Sequence, residues 1–216
     1  MSPAAGTAGE LWAAHADLAA TALDHPFVRG LADGSLPRPV YAGYVGQDAF
    51  FLDAYARAYA AGAFRSPDPA GLAAFADLLA GVREERRLHE GTAARWGIDL
   101  AAVEPAPATL AYTDFLLAAA GQGDLGVLCA AMTPCMRLYS FLGTSLAAGG
   151  PAEPYDEWVA TYASAEFEEL AATLERLLDA YAPTASGEVA VPVRRAYRRA
   201  MALELGFFDG AFTPAA

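Results

Sequence analysis

Apolar residues recur at offsets of three and four along almost the whole chain, while the period-two alternation of a half-buried strand is nearly absent. That pattern restricts the fold to packed helices. Leu11, Trp12, His15, Leu18, Ala19 and Ala22 predict a helix over residues 11–23, after a flexible start at residues 1–9. Asp24-His25-Pro26 ends it, because the residue before proline avoids the helical region. Phe27 to Leu31 reads as one short turn, with His25 structural. Pro37 and Pro39 then open a helix from Arg38 to Gly62. Asp68 is a plausible cap for the next, which runs to Trp96 and stops at Gly97. Thr109 is expected to cap a helix over 110–120, followed by an apolar one over 125–148. Tyr155 to Tyr181 reads as one helix, Pro183 to Ser186 as a loop, and Val193 to Phe212 as the last helix, with Arg194, Arg195, Arg198 and Arg199 on its solvated side. The expectation is an all-α bundle of about seven or eight helices joined by short loops, in one domain over residues 1–216.

The chemistry concentrates in the most apolar helix. Met132-Thr133-Pro134-Cys135-Met136-Arg137-Leu138-Tyr139 sets a proline, which removes a backbone hydrogen bond and kinks a helix, beside a thiol with a tyrosine one turn on. Two acids stand on apolar faces elsewhere. Asp48 shares a stripe with Tyr44, Phe51 and Tyr55, and Glu204 sits in Met201-Ala202-Leu203-Glu204-Leu205-Gly206-Phe207-Phe208. A buried acid must be paired, hydrogen-bonded or neutral, so each is either a satisfied core residue or a group whose raised pKa suits acid–base work. The charged run Glu84-Glu85-Arg86-Arg87-Leu88-His89-Glu90 reads as a solvated face.

Several function classes are disfavoured. A net charge of -12 argues against nucleic acid and anionic membranes, both of which need a basic face. With three histidines and one Glu85–His89 pair, no di-metal set of acids and histidines is complete, and Cys129 and Cys135 are too few for structural zinc. No metal or other cofactor is expected. Haem on His15 is the remaining option of that kind. Gly121-Gln122-Gly123-Asp124-Leu125-Gly126 matches a dinucleotide fingerprint but follows no strand, so it reads as a helix–helix turn capped by Asp124. A serine-hydrolase elbow is missing. Cys129 reads as a small buried hydrophobe. Two cysteines that cannot pair, no leader-like start and no unbroken apolar run of membrane length point to a cytoplasmic protein without a membrane anchor.

These motifs, taken together and in this order, resemble the TenA (thiaminase II) family, built on the haem-oxygenase-like helical fold. The likeness covers nearly the whole chain. It rests on His25-Pro26-Phe27-Val28 with Gly30, Asp33-Gly34 and Leu36-Pro37, and on Tyr44-Val45 with Gln47-Asp48. It continues through Glu85 with Leu88-His89, Ala111-Tyr112-Thr113, Pro134-Cys135 with Leu138-Tyr139, Trp158-Val159 with Thr161-Tyr162, and Glu204. The resemblance implies a hydrolase of thiamin salvage that converts 4-amino-5-aminomethyl-2-methylpyrimidine to the 5-hydroxymethyl compound and also cleaves thiamin. It implies Cys135 as nucleophile toward the ring, Glu204 as proton shuttle, and Asp48 on the amidine-like ring edge. Tyr112 would bond near the thiol, Tyr139 and Tyr162 would position the ring, and Tyr44, Phe51 and Phe207 would line the site. Some relatives carry tyrosine where this chain has Phe51, which keeps the stacking surface and loses a hydroxyl, so slower turnover is implied. A homotetramer is implied as well. Two alternatives on the same fold are a haem-oxygenase-like metal oxidase and a non-catalytic pyrimidine-binding protein.

Overall fold

The structure, a computed structural model, describes residues 6–150, 152–182 and 189–212. Among these residues all regular structure is helical. The α-helices are α1 (Thr7–Ala14), α2 (Ala16–Leu23), α3 (Pro26–Asp33), α4 (Arg38–Arg65), α5 (Pro69–Trp96), α6 (Pro107–Gln122), α7 (Leu125–Ala147), α8 (Asp156–Tyr162), α9 (Ala165–Tyr181) and α10 (Val191–Ala211). One 3₁₀ turn, Leu100–Ala102, joins α5 to α6.

The predicted stops hold where local chemistry sets them. Asp68 accepts from Gly71 N–H at the start of α5, Asp124 accepts from Val127 N–H at the start of α7, and Gly97 closes α5 at φ 69°, a left-handed backbone that suits glycine. Boundaries differ where tertiary contacts decide. The first predicted helix is two, because His15 leaves the helical region at φ -123°. Its Nδ1 bonds the Leu11 carbonyl at 2.7 Å and its ring lies 5.5 Å from Tyr197. The start expected to be flexible to residue 9 is helical from Thr7, since the Thr7 hydroxyl donates to Ala182 O at 2.7 Å and Ala8 N–H to Asp179 at 2.8 Å. Residues 1–5 and the predicted loop at 183–186 lie outside the described residues. The turn at Phe27 is a full helix, capped where the His25 ring accepts from Phe27 N–H. Thr109 does not cap α6. That helix starts at Pro107, and the Thr109 hydroxyl donates to Gln47 Oε1 at 2.6 Å. The predicted helix over 155–181 is also two, with Ser164 capping the second by accepting from Phe167 N–H.

α7 is the axis of the bundle. Every residue from Leu128 to Met136 is buried, as expected of a helix apolar all round. By length and composition α7 could cross a membrane, but 78% of that stretch is buried inside the protein. It packs against α9 and α10 most extensively, then α8 and α6, while α4 pairs with α5. Arg137, the one charge in its middle, is clamped to α9 by Glu175 and Glu168 at 2.7–2.9 Å. Gly143 lets α8 come close: a Cβ there would meet the Tyr162 backbone carbon at 2.5 Å. Gly143→Ala is therefore expected to lower stability by about 1–3 kcal/mol, measurable by urea denaturation, with a displaced Tyr162.

Candidate active site

Five helices deliver side chains to one region. On α4, offsets of three and four put Tyr41, Tyr44, Asp48, Phe51 and Tyr55 on one face. α7 supplies Cys135 and Tyr139 one turn apart, α8 supplies Trp158 and Tyr162, α5 supplies Glu85 and His89, and α9 supplies Phe167. They border two adjoining spaces. The outer one, about 580 Å³ including its open mouth, is bordered by Tyr41, Tyr44, Asp48, Glu85, His89, Trp158 and Tyr162. The inner one, about 350 Å³ including its open side, is bordered by Asp48, Phe51, Tyr55, Glu85, Cys135, Tyr139 and Tyr162. Asp48, Glu85 and Tyr162 border both and form the neck between them.

The structure therefore brings Asp48, Phe51, Cys135, Tyr139 and Tyr162 to one cavity, with Tyr44 at its outer part. Glu204 and Tyr112 do not line it. Both are fully buried behind the thiol, where the Tyr112 hydroxyl donates to Glu204 Oε1 at 2.5 Å. Phe207 also stands outside, bordering a separate small cavity with Gln47 and Thr109 and backing Phe51 at 5.8 Å. Glu204 is on α10 and Tyr112 on α6, so this pair comes to Cys135 from helices that border neither part of the cavity.

Hydrogen bonds hold the aromatic wall in place. The Tyr44 hydroxyl donates to the Tyr139 hydroxyl and accepts from the Trp158 indole, each at 3.3 Å. The Tyr139 and Tyr162 rings meet edge-on at 4.8 Å, as do Phe51 and Tyr112 at 4.7 Å. The Tyr55 hydroxyl donates to the Met132 carbonyl at 2.6 Å, tying α4 to α7 one turn before Cys135.

Burial dominates the electrostatics. It pushes Asp48 up to about 7 and Glu204 up to about 8, with the hydrogen bonds from Tyr112 and Cys135 only partly offsetting the latter. Glu85 rises to about 7, through burial and then the Asp48 charge, against the Tyr162 hydroxyl that donates to it at 3.1 Å. Burial also holds the Cys135 thiol well above its usual value, and the Glu204 charge adds to this. The resting sulfur is thus a thiol, in hydrogen-bond contact with the Glu204 carboxyl. Cys129, more deeply buried, rises to about 12 through burial and then the Asp124 charge.

Glu85 and His89 correct the reading of their charged run as a solvated face. Glu84, Arg86, Arg87 and Glu90 are exposed, but Glu85 and His89 turn inward to the neck and mouth. The signal was the helical spacing of Leu78, Val82, Glu85 and His89, which continues the buried face of α5. Among the described residues, no three metal-ligating side chains come together.

A bundle of long helices around a buried thiol, three raised carboxyls and an aromatic-walled cavity defines a class of all-α proteins built to hold a small aromatic molecule. The chain belongs to the TENA/THI-4/PQQC family, whose model matches residues 12–213. It is 38% identical over 196 residues to an aminopyrimidine aminohydrolase of Halalkalibacterium halodurans, covering 88% of each chain. A Bacillus subtilis aminopyrimidine aminohydrolase is 28% identical, with 87% of this chain and 82% of that protein covered. The fold matches the crystal structure of a TenA family transcription regulator from Silicibacter sp. TM1040 with a TM-score of 0.89, at 30% identity, covering 99% of this chain and 100% of the other.

Proposed function

We propose that this protein is an aminopyrimidine aminohydrolase (thiaminase II) that replaces the amine of 4-amino-5-aminomethyl-2-methylpyrimidine with hydroxyl and releases ammonia. Cleavage of thiamin at the same methylene is a second activity of the same site. The observation that carries this reading is the Cys135 thiol at the floor of a cavity whose neck is Asp48, in a chain 38% identical to an aminopyrimidine aminohydrolase.

The ring enters through the outer space and lies among Tyr139, Tyr162 and Phe51. Asp48 meets its amino group and the neighbouring ring nitrogen. Cys135 adds to a ring carbon as its proton passes to Glu204, and the ring's π pair moves onto nitrogen. Return of that pair expels the amine from the methylene carbon, with Glu204 supplying the proton the amine needs. Water adds to the methylene, and loss of the thiol restores the aromatic ring. No cofactor enters these steps. Tyr112 keeps Glu204 aimed at the thiol, and Glu85 at the neck is placed to attract a cationic aminomethyl group.

The test is ammonia release from the aminomethyl pyrimidine by the purified protein; no turnover on it or on thiamin overturns the proposal. Asp48→Asn is expected to raise KM at least about tenfold, roughly 1.4 kcal/mol or more of lost recognition, because an amide cannot shed or take up a proton at that edge. We infer a cytoplasmic homotetramer acting as one catalytic unit per chain. Free Cys129 and Cys135 support a reducing compartment, and Phe64, 90% exposed, with Leu72, Leu110 and Leu117 supplies apolar surface for assembly. Light scattering measures the assembly directly.

A further inference from the structure

His89 is engaged at both ring nitrogens. Its Nε2 lies 2.5 Å from the Val45 carbonyl oxygen, three residues before Asp48 on α4. A carbonyl oxygen only accepts, so Nε2 carries the hydrogen. Nδ1 then faces Asp48 Oδ2 at 3.5 Å, with both side chains about nine-tenths buried. In this tautomer a neutral imidazole presents a lone pair at Nδ1, and a carboxylate presents only lone pairs in return. The contact is favourable when one proton lies between them.

We propose that Asp48 and His89 hold a single proton as a pair, and that His89 is a positioning residue keeping Asp48 able to donate as well as accept at a 4-aminopyrimidine edge. The proposal rests on the aminohydrolase reading for its ligand. The edge in question has an amino donor beside a ring nitrogen acceptor. A carboxyl with one available proton complements both: on binding, the pair's proton moves from the His89 side to the Asp48 oxygen facing the ring nitrogen and leaves His89 neutral, whereas a bare carboxylate with no proton to draw on leaves the ring nitrogen without a partner.

The surroundings favour one proton over two or none near neutrality. Burial raises Asp48 and lowers His89, while the Val45 carbonyl and the charges of Glu85 and Glu90 on α5 favour protonated His89. From α8, Glu157 is ion-paired with Arg95 at 2.5 Å, and the Tyr162 hydroxyl faces Glu85. Tyr41 and Tyr44 on α4, Tyr139 and the Cys135 thiol on α7, and the Tyr162 phenol are all held above their usual values by burial, and Glu204 on α10 rises to about 8. Among the described residues, no arginine borders either part of the cavity. Loss of the pair's proton at alkaline pH is the event expected to weaken pyrimidine binding.

Nitrogen NMR of the intact protein labelled at histidine tests the pair without reference to turnover. The expected spectrum has His89 protonated at Nε2, with a titration at Nδ1 that Asp48→Asn displaces. His89→Gln keeps an amide donor for Val45 and removes the group facing Asp48. It is expected to raise KM for the aminomethyl pyrimidine about tenfold with kcat changed by less than about threefold, and to displace the alkaline rise of KM. A ring protonated at Nδ1, a titration unaffected at Asp48→Asn, or a His89→Gln enzyme with wild-type KM and pH profile overturns the proposal. If the wild-type protein turns over neither pyrimidine, the aminohydrolase reading fails, and the tautomer measurement still decides the pair.

Discussion

Replacing Cys135 with serine is expected to lower ammonia release by at least about a thousand-fold while leaving the fold intact. The exchange removes little volume, so the helix and its buried neighbours keep their packing. What it removes is nucleophilicity. The thiol already ionises reluctantly, because it is 8% exposed and lies beside Glu204. A hydroxyl in the same place ionises far less readily, and a carboxyl at about 8 is too weak a base to take its proton. Circular dichroism and Tm close to wild type, together with lost turnover, are the expected pair of readings. Cys129→Ala is the control. Cys129 is fully buried on another face of α7, so its truncation should reduce stability by roughly 1–2 kcal/mol and leave kcat near wild type. Full activity in the Cys135→Ser enzyme would remove the sulfur from the mechanism.

The fold was legible because each long helix carries its own stop: Asp68, Gly97 and Asp124 are local chemistry, and local chemistry can be read from a chain. The two missed breaks have different causes. His15 leaves the helix in a place fixed by Tyr197, nearly two hundred residues away, which no window of sequence contains. Ser164 was readable in principle, since a serine followed by Glu166 and Glu168 is a helix start, but the apolar spacing runs through it. At the site, Cys135, Asp48 and Glu204 stand out because each is polar in an apolar stripe. Their depth does not: that Glu204 lies behind the thiol with Tyr112, and Phe207 outside the cavity, depends on how α10 and α6 dock on α7. Glu85 and His89 were hidden for the opposite reason. Exposed charges flank them on both sides, and only their phase on α5 separates them from that solvated run.

Glu204→Gln should inactivate the enzyme and stabilise it, with the second effect growing from about pH 4.5 to about pH 8. Burial raises Glu204 from 4.5 to about 8, so the folded protein binds its proton more tightly than the unfolded chain does. Stability from this group is fully present below the unfolded value and is lost as pH rises through the folded one. Over that window the wild type forfeits on the order of 3–5 kcal/mol that an uncharged glutamine does not, while the amide oxygen still accepts from Tyr112. The raised values of Asp48 and Glu85 fall in the same range but are common to both proteins and largely cancel in the difference. Thermal unfolding followed at a series of pH values is the measurement. The two Tm curves should nearly coincide below about pH 4.5, separate through neutrality, and run parallel above about pH 8 with the variant higher. A variant less stable than wild type at every pH would mean that the Glu204 charge is compensated in the folded protein, and a compensated carboxylate could not serve as the base for Cys135. The cost of keeping an ionisable acid without a cation against a buried thiol is thus the same property that lets it receive the proton.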